Sequence, residues 1–290
     1  SNKIRTVLPF KIGAPFYMSK SEEYKAQCIK EVQRVAPNYK AKCGYIIFGN
    51  GEVYADVEFD TAEITSVKYR KIPKSFKSLQ PIPKELAVLY QQLEDRMNNQ
   101  AEMSHFPIEK YDSGFIDFAD PVLHEIAVKI SNIAYDSNQI LLDRVIYSED
   151  DEDRAISSDL LSWSQHPENL DVILDQDLLF DPYLGVRNNI ARSFIFLLNK
   201  HTNQETLRRL IPNYCKMATL PTHHDRNKAL YSIFELLEDN PNFVAELDEE
   251  CLRNIHYIAD MSILANSGGI AKKILVQISS HYEKNSNHNA

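Results

Sequence analysis

The chain has 290 residues, 43% apolar and 25% charged, with only eight glycines, the composition of an ordinary soluble protein with a helical bias. Its formal charge of −9 disfavours a broad phosphate-binding surface, because nucleic-acid affinity rests on many Lys/Arg–phosphate contacts; a basic protein is the more natural partner. Apolar runs are short, as in Tyr45 to Phe48, and none approaches the roughly 20 residues that span a bilayer.

Residues 1–80 read as a small α+β unit. Ser1 to Arg5 lack the apolar core of a secretory signal, and Ser1-Asn2 without a methionine reads as a scar of tag removal. Ser19 or Ser21 is placed to cap a helix from about Glu22 to Val35, which Ala36-Pro37 ends. Asn50-Gly51 between the β-rich runs Cys43 to Phe48 and Glu52 to Phe59 predicts a hairpin. In the second run Val53, Ala55, Val57 and Phe59 alternate with polar residues, giving one apolar face. Glu63 to Ile72 reads as a third strand. Tyr45 and Tyr54 look exposed on this sheet, which is expected to act as a cap for the helical region.

Residues 81–119 read as a helix and a linker. The helix runs from about Pro83 to Asn99, with Leu86, Leu89, Tyr90, Leu93 and Met97 on one face. Residues 100–120 are expected to be a partly irregular link.

From residue 120 to 290 nearly every segment has helical periodicity, broken at short polar or proline-containing stretches. A phrase recurs at Asp153 to Leu161, Val186 to Phe194 and Asp225 to Ile233. Each copy carries an arginine (Arg154, Arg187, Arg226), then small residues, then a large apolar one. The copy around Asp181-Pro182, Val186-Arg187, Ala191 and Ser193 resembles the HEAT-like repeat family. That resemblance covers about residues 120–280. It implies a mainly α fold, a HEAT-like α-solenoid of about four to five helix pairs following the small α+β unit. It also implies that Arg154, Asp181, Arg187 and Arg226 occupy the structural register that ties repeats together. Asp153 and Asp225 stand where the family has valine.

The four cysteines, Cys28, Cys43, Cys215 and Cys251, form no Cys-x-x-Cys pair and read as reduced, in a cytoplasmic protein. Glu149, Asp150, Asp151 and Glu152 form the densest charge run, either a docking patch for a basic partner or a solvated loop favouring the next helix N-terminus. Trp163 is the single tryptophan, read as packing or as a binding platform.

No metal or cofactor is expected. His124-Glu125 is similar to the metal-binding pairs of deoxyhypusine hydroxylase, a HEAT-like di-iron family, but that family needs several such pairs. His223-His224-Asp225 lacks a second cluster with ligand spacing. No nucleophile elbow or phosphate loop is present. The expected function is therefore non-catalytic protein binding, for example by an immunity or inhibitor protein that blocks a basic partner. The alternatives are a HEAT-like nucleic-acid-modifying enzyme of the DNA glycosylase type, or a structural scaffold.

Overall fold

A computed structural model describes residues 8, 13, 15–17, 20–38, 40–47, 53–60, 68–74, 78–102, 107–110, 113–198, 203–220, 222–262 and 265–288. The chain divides into two compact units. One comprises Ser1–Ser66, Met97–Phe106 and Pro221–His223; the other comprises Val67–Arg96, Pro107–Leu220 and His224–Ala290.

The first unit contains α1 (Ser21–Val35) and the antiparallel strands β1 (Lys40–Ile47) and β2 (Val53–Asp60), with Cys43 opposite Val57 and Tyr45 opposite Ala55. Glu22 and Glu23 lie in the first turn of α1 and Arg34 in its last, each sign favourable to the helix dipole. The core is Cys28 and Val32 from α1 against Ala41, with Cys43 and Val57 beside them. The expected hairpin is present as two paired strands; its Asn50-Gly51 turn and the Ser19 cap lie outside the described residues. Tyr45 is half-buried against the Phe16 ring, 4.6 Å between centroids, rather than exposed, and burial pushes its phenol up to about 12. The side chain of Tyr54 lies outside the described residues. Ala55, expected on the apolar face, is exposed.

The second unit is mainly helical. Residues 68–74 form no strand; Arg70 N donates to Phe180 O at 2.8 Å. Of the expected strand Glu63 to Ile72, residues 63–67 lie outside the described residues, and the described part, 68–72, is corrected to irregular chain. Next comes α2 (Lys84–Glu102), which buries Leu86 and Leu93 as its periodicity requires. The expected linker contains a short antiparallel pair, β3 (Glu109–Lys110) and β4 (Asp117–Phe118).

The helices that follow are α3 (Pro121–Asp136), α4 (Asn138–Tyr147), α5 (Asp151–Leu161) and α6 (Asn169–Asp175). A 3-10 turn, Leu178–Phe180, leads to α7 (Leu184–Leu198), α8 (Gln204–Met217) and α9 (His223–Asp239). A second 3-10 turn, Pro241–Glu246, precedes α10 (Glu249–Met261) and α11 (Ala265–His288). Asp120, Asp150, Asn203 and Asp248 cap α3, α5, α8 and α10, each accepting a backbone N–H in the first turn.

Helix α4 packs on α5 and α10 on α11, neighbours in sequence, and α5 also packs on α7, α6 on α8, and α8 on α10. Small buried residues, Ser157 and Ser158 on α5 and Ala191 on α7, permit close approach. At Gly185 a side-chain carbon would lie 3.0 Å from the Tyr183 ring and 3.4 Å from the Ala155 methyl, which leaves no room for a larger residue unless Tyr183 moves.

All four cysteines are paired. Cys28 joins Cys43 and links α1 to β1; Cys215 joins Cys251 and links α8 to α10. The reading of the cysteines as reduced is thereby corrected. Their partners are 15 and 36 residues away, and only the packing of the elements brings each pair together. Among the described residues no helix is long and apolar enough to cross a membrane.

Candidate functional site

The arginines of the recurring phrase are placed alike. Arg154 Nη1 donates to Ser148 O at 2.9 Å, Arg187 Nη1 to Asp181 O at 2.7 Å, and Arg226 Nη1 to Leu220 O at 3.2 Å. Each acceptor lies six residues before its arginine, so each guanidinium ties its helix to the turn that leads into it. Arg154 also grips Asp181 through Nε and Nη2, both at 3.1 Å. Arg187 holds Asp225 through Nε and Nη2 at 3.0 and 2.9 Å, joining α7 to α9. Asp181 and Asp225 are fully buried, so these pairs are removed from water and their charges depend on one another.

Sequence reasoning missed Arg70. Its guanidinium reaches Asp181 at 2.6 Å and the carbonyls of Ile146 and Val145 at 3.2 and 2.7 Å. Burial lowers its proton affinity, and the Asp181 carboxylate opposes that shift. Nothing near Arg70 in the sequence announces a partner 111 residues away.

The acidic run is engaged inside the protein at most of its positions. Asp150 accepts from Glu152 N and Asp153 N as the cap of α5. Asp151 pairs with Arg154 at 2.6 Å, and Glu152 accepts from the Tyr183 hydroxyl at 2.8 Å. Arg144 pairs with Asp153 at the start of α5. Glu149, Asp150, Asp151 and Glu152 nevertheless keep exposed surface.

Trp163 does not present a surface. It is 2% exposed, and its indole N–H donates to Ile116 O at 2.9 Å. The structure thus places it in packing, and the reading of Trp163 as a binding residue is corrected. His124 Nδ1 lies 2.7 Å from Asp117 Oδ1. Among the described residues no group of three His, Cys, Asp or Glu is arranged to hold a metal.

A second assembly brings together ionisable groups that are far apart in sequence. Tyr90 and Glu94 come from α2, Glu109 from β3, Asp159 from α5, Arg192 from α7 and Lys228 from α9. The Tyr90 hydroxyl donates to Asp159 Oδ2 at 2.8 Å, and Arg192 pairs with Glu109 at 2.5 Å. Burial raises the Asp159 carboxyl, which Arg192 and the Tyr90 hydrogen bond oppose. Glu94 is raised by burial and by the neighbouring Asp159 charge. Burial and Asp159 also push the Tyr90 phenol up. Burial, with Arg192 close by, brings the Lys228 ammonium down to about 8.

The shifts of Asp159, Glu94 and Lys228 move proton affinities toward neutrality, whereas that of Tyr90 keeps its phenol protonated, and together they mark a candidate site for binding or proton transfer. Two of its members had a signal in the sequence: Asp159 and Arg192 each stand five residues after a register arginine, Arg154 and Arg187. The others are joined only by the fold. In comparison with known proteins, the chain matches no family profile, no curated protein sequence and no solved structure.

Proposed function

We propose that this chain is a HEAT-like α-solenoid that acts as a non-catalytic protein-binding module, with an immunity or inhibitor protein as its concrete form. One observation carries the reading. Two arginines of the repeated phrase, Arg154 and Arg187, are held in buried structural pairs, whereas Glu149, Asp150, Asp151 and Glu152 keep exposed surface on a chain of charge −9. An exposed acidic cluster on a chain of net negative charge attracts a basic protein at long range.

The immobilised protein is expected to capture a basic partner that is released as salt rises from about 0.05 to 0.5 M, because screening shortens the reach of exposed charges. A partner that is acidic, or indifferent to salt, would sink the inhibitor form of the proposal.

The two disulfides support an oxidising compartment over the cytoplasm as the place of action. Thiol titration of the unfolded protein, prepared without reductant, is expected to find no free thiol; four free thiols would restore the cytoplasmic assignment.

A second reading is an enzyme, and the assembly of Tyr90, Glu94, Asp159 and Lys228 is the observation that favours it. The glycosylase form of that reading loses its aromatic platform with the burial of Trp163.

A further inference from the structure

One buried carboxylate holds a histidine at the surface. Gly114, at φ 74°, turns the chain between β3 and β4, and Ser113 beside it donates its hydroxyl to Asp117 Oδ2 at 2.9 Å. Phe118 N donates to Asp117 Oδ1 at 2.7 Å, and the same oxygen lies 2.7 Å from Nδ1 of His124, near the start of α3. The Asp117 side chain is 6% exposed and the His124 side chain 49%. Burial raises the Asp117 carboxyl, but the bonds from His124, Phe118 and Ser113 outweigh it and hold the group below the ordinary carboxylate range.

An ionised carboxylate only accepts hydrogen bonds, so the ring nitrogen that faces it carries the proton. The neutral His124 ring is therefore protonated at Nδ1 and keeps its lone pair on Nε2, which no described residue engages. A carboxylate behind the ring favours any step in which the ring gains positive charge, the arrangement of an oriented histidine nucleophile. His166 shows the contrary arrangement. Its Nδ1 lies 2.7 Å from Glu168 Oε1 and its Nε2 3.1 Å from Tyr135 O, so both nitrogens face acceptors. The charges near His124 decide what it can meet. Asp120, four residues earlier, pairs with Arg96 at 3.1 Å, Glu125 follows, and Lys110 stands opposite Asp117 in the strand pair. With Asp117 these are three carboxylates to two cations, which disfavours an anionic reagent and admits a neutral one.

We propose that His124 Nε2 is a nucleophile, a modification site that accepts acyl groups from neutral activated esters, held in its reactive tautomer by Asp117. The site is independent of the protein-binding reading above. In the transfer the Nε2 lone pair bonds to the carbonyl carbon, the ester C–O bond breaks, and the leaving group departs as its alkoxide or phenolate. The ring, acylated at Nε2 and still bearing the Nδ1 proton, is then cationic, and that charge faces the Asp117 carboxylate.

The test is peptide mass spectrometry of the native chain after brief treatment with diethyl pyrocarbonate, a neutral acyl donor. His124 is expected to be modified about tenfold faster than the exposed His256, since a charge-assisted bond behind the ring stabilises its developing charge. His166 is expected to stay unmodified until the chain is unfolded. D117N isolates the charge: Phe118 N still needs an oxygen at that position, so the amide keeps the Nδ1 proton in place while the carboxylate is lost. Its His124 should react about tenfold more slowly than in the wild type. Acetyl phosphate supplies the anionic comparison, each rate being divided by that of N-acetylhistidine amide; the ratio should be larger for the neutral donor. Modification of His124 at Nδ1, His256 reacting as fast, or equal rates in D117N and the wild type would each overturn the nucleophile, and equal ratios for the two donors would overturn its preference for a neutral ester. Should D117N fail to fold, the order of His124, His256 and His166 within the wild type decides.

Discussion

Replacing Arg187 by alanine removes both bonds to Asp225 and leaves that carboxylate buried alone. Breaking one side of a buried pair costs about 3–5 kcal/mol, so a marked fall in the denaturation midpoint is expected, with Arg226→Ala far milder because Arg226 is only partly buried. Equal effects of the two substitutions in chemical denaturation would contradict this ranking. Lys228→Met should act in the opposite direction. The lysine is about 8 in the folded chain and near 10.5 when unfolded, so below about pH 8 both states are charged and the folded state bears the whole desolvation cost. Between about 8 and 10.5 the folded state has released its proton while the unfolded state keeps it, and stability rises with pH. K228M is thus expected to be more stable than the wild type at pH 7, by about 2 kcal/mol, with the advantage vanishing above pH 10.5. A pH series of urea midpoints reads both features, and a constant difference across the series would exclude the lysine as its source.

The helices carry their own start signals, which is why they were legible. Asp150 stands before an acidic first turn, and its side chain takes two backbone N–H groups of α5. Asp150→Ala should cost about 1 kcal/mol, a loss that Asp150→Ser largely restores; calorimetric unfolding of the two variants checks it. The end of α1 was legible from Pro37 and the start of α2 from Pro83 and its apolar spacing, but Ser21 is the first residue of α1 rather than its cap, and no side chain caps that end. The arginine positions were legible for a similar reason: each binds a carbonyl six residues back, so sequence spacing alone fixes that contact. The parts that were not legible depend on distance in the chain. Lys68 to Ile72 looked strand-like, yet Arg70 finds its partner in Asp181 and the segment pairs with no strand. Glu109 gave no sign that it would meet Arg192, and two cysteines 36 residues apart gave none that α8 and α10 would bring them into contact.

At the scale of the whole molecule, the disulfides change where stability resides. Cys215–Cys251 closes a loop of 36 residues, which restricts the unfolded chain by about 4 kcal/mol on loop-closure grounds. Cys215→Ser is expected to lower the thermal midpoint in the absence of reductant and to have little further effect once reductant is added to both proteins. A midpoint unchanged in both conditions would show that the bridge does not form.

Asp181 gives the second unit a further property. One carboxylate is held by Arg70 and by Arg154, and the same residue's carbonyl receives Arg187. Three stretches of chain, far apart in sequence, converge on a single amino acid. A cut in the backbone between residues 74 and 78 would thus sever the covalent link without releasing the piece that bears Arg70. The two fragments should travel together through a sizing column, and Asp181→Ala, which removes the shared carboxylate, should let them part.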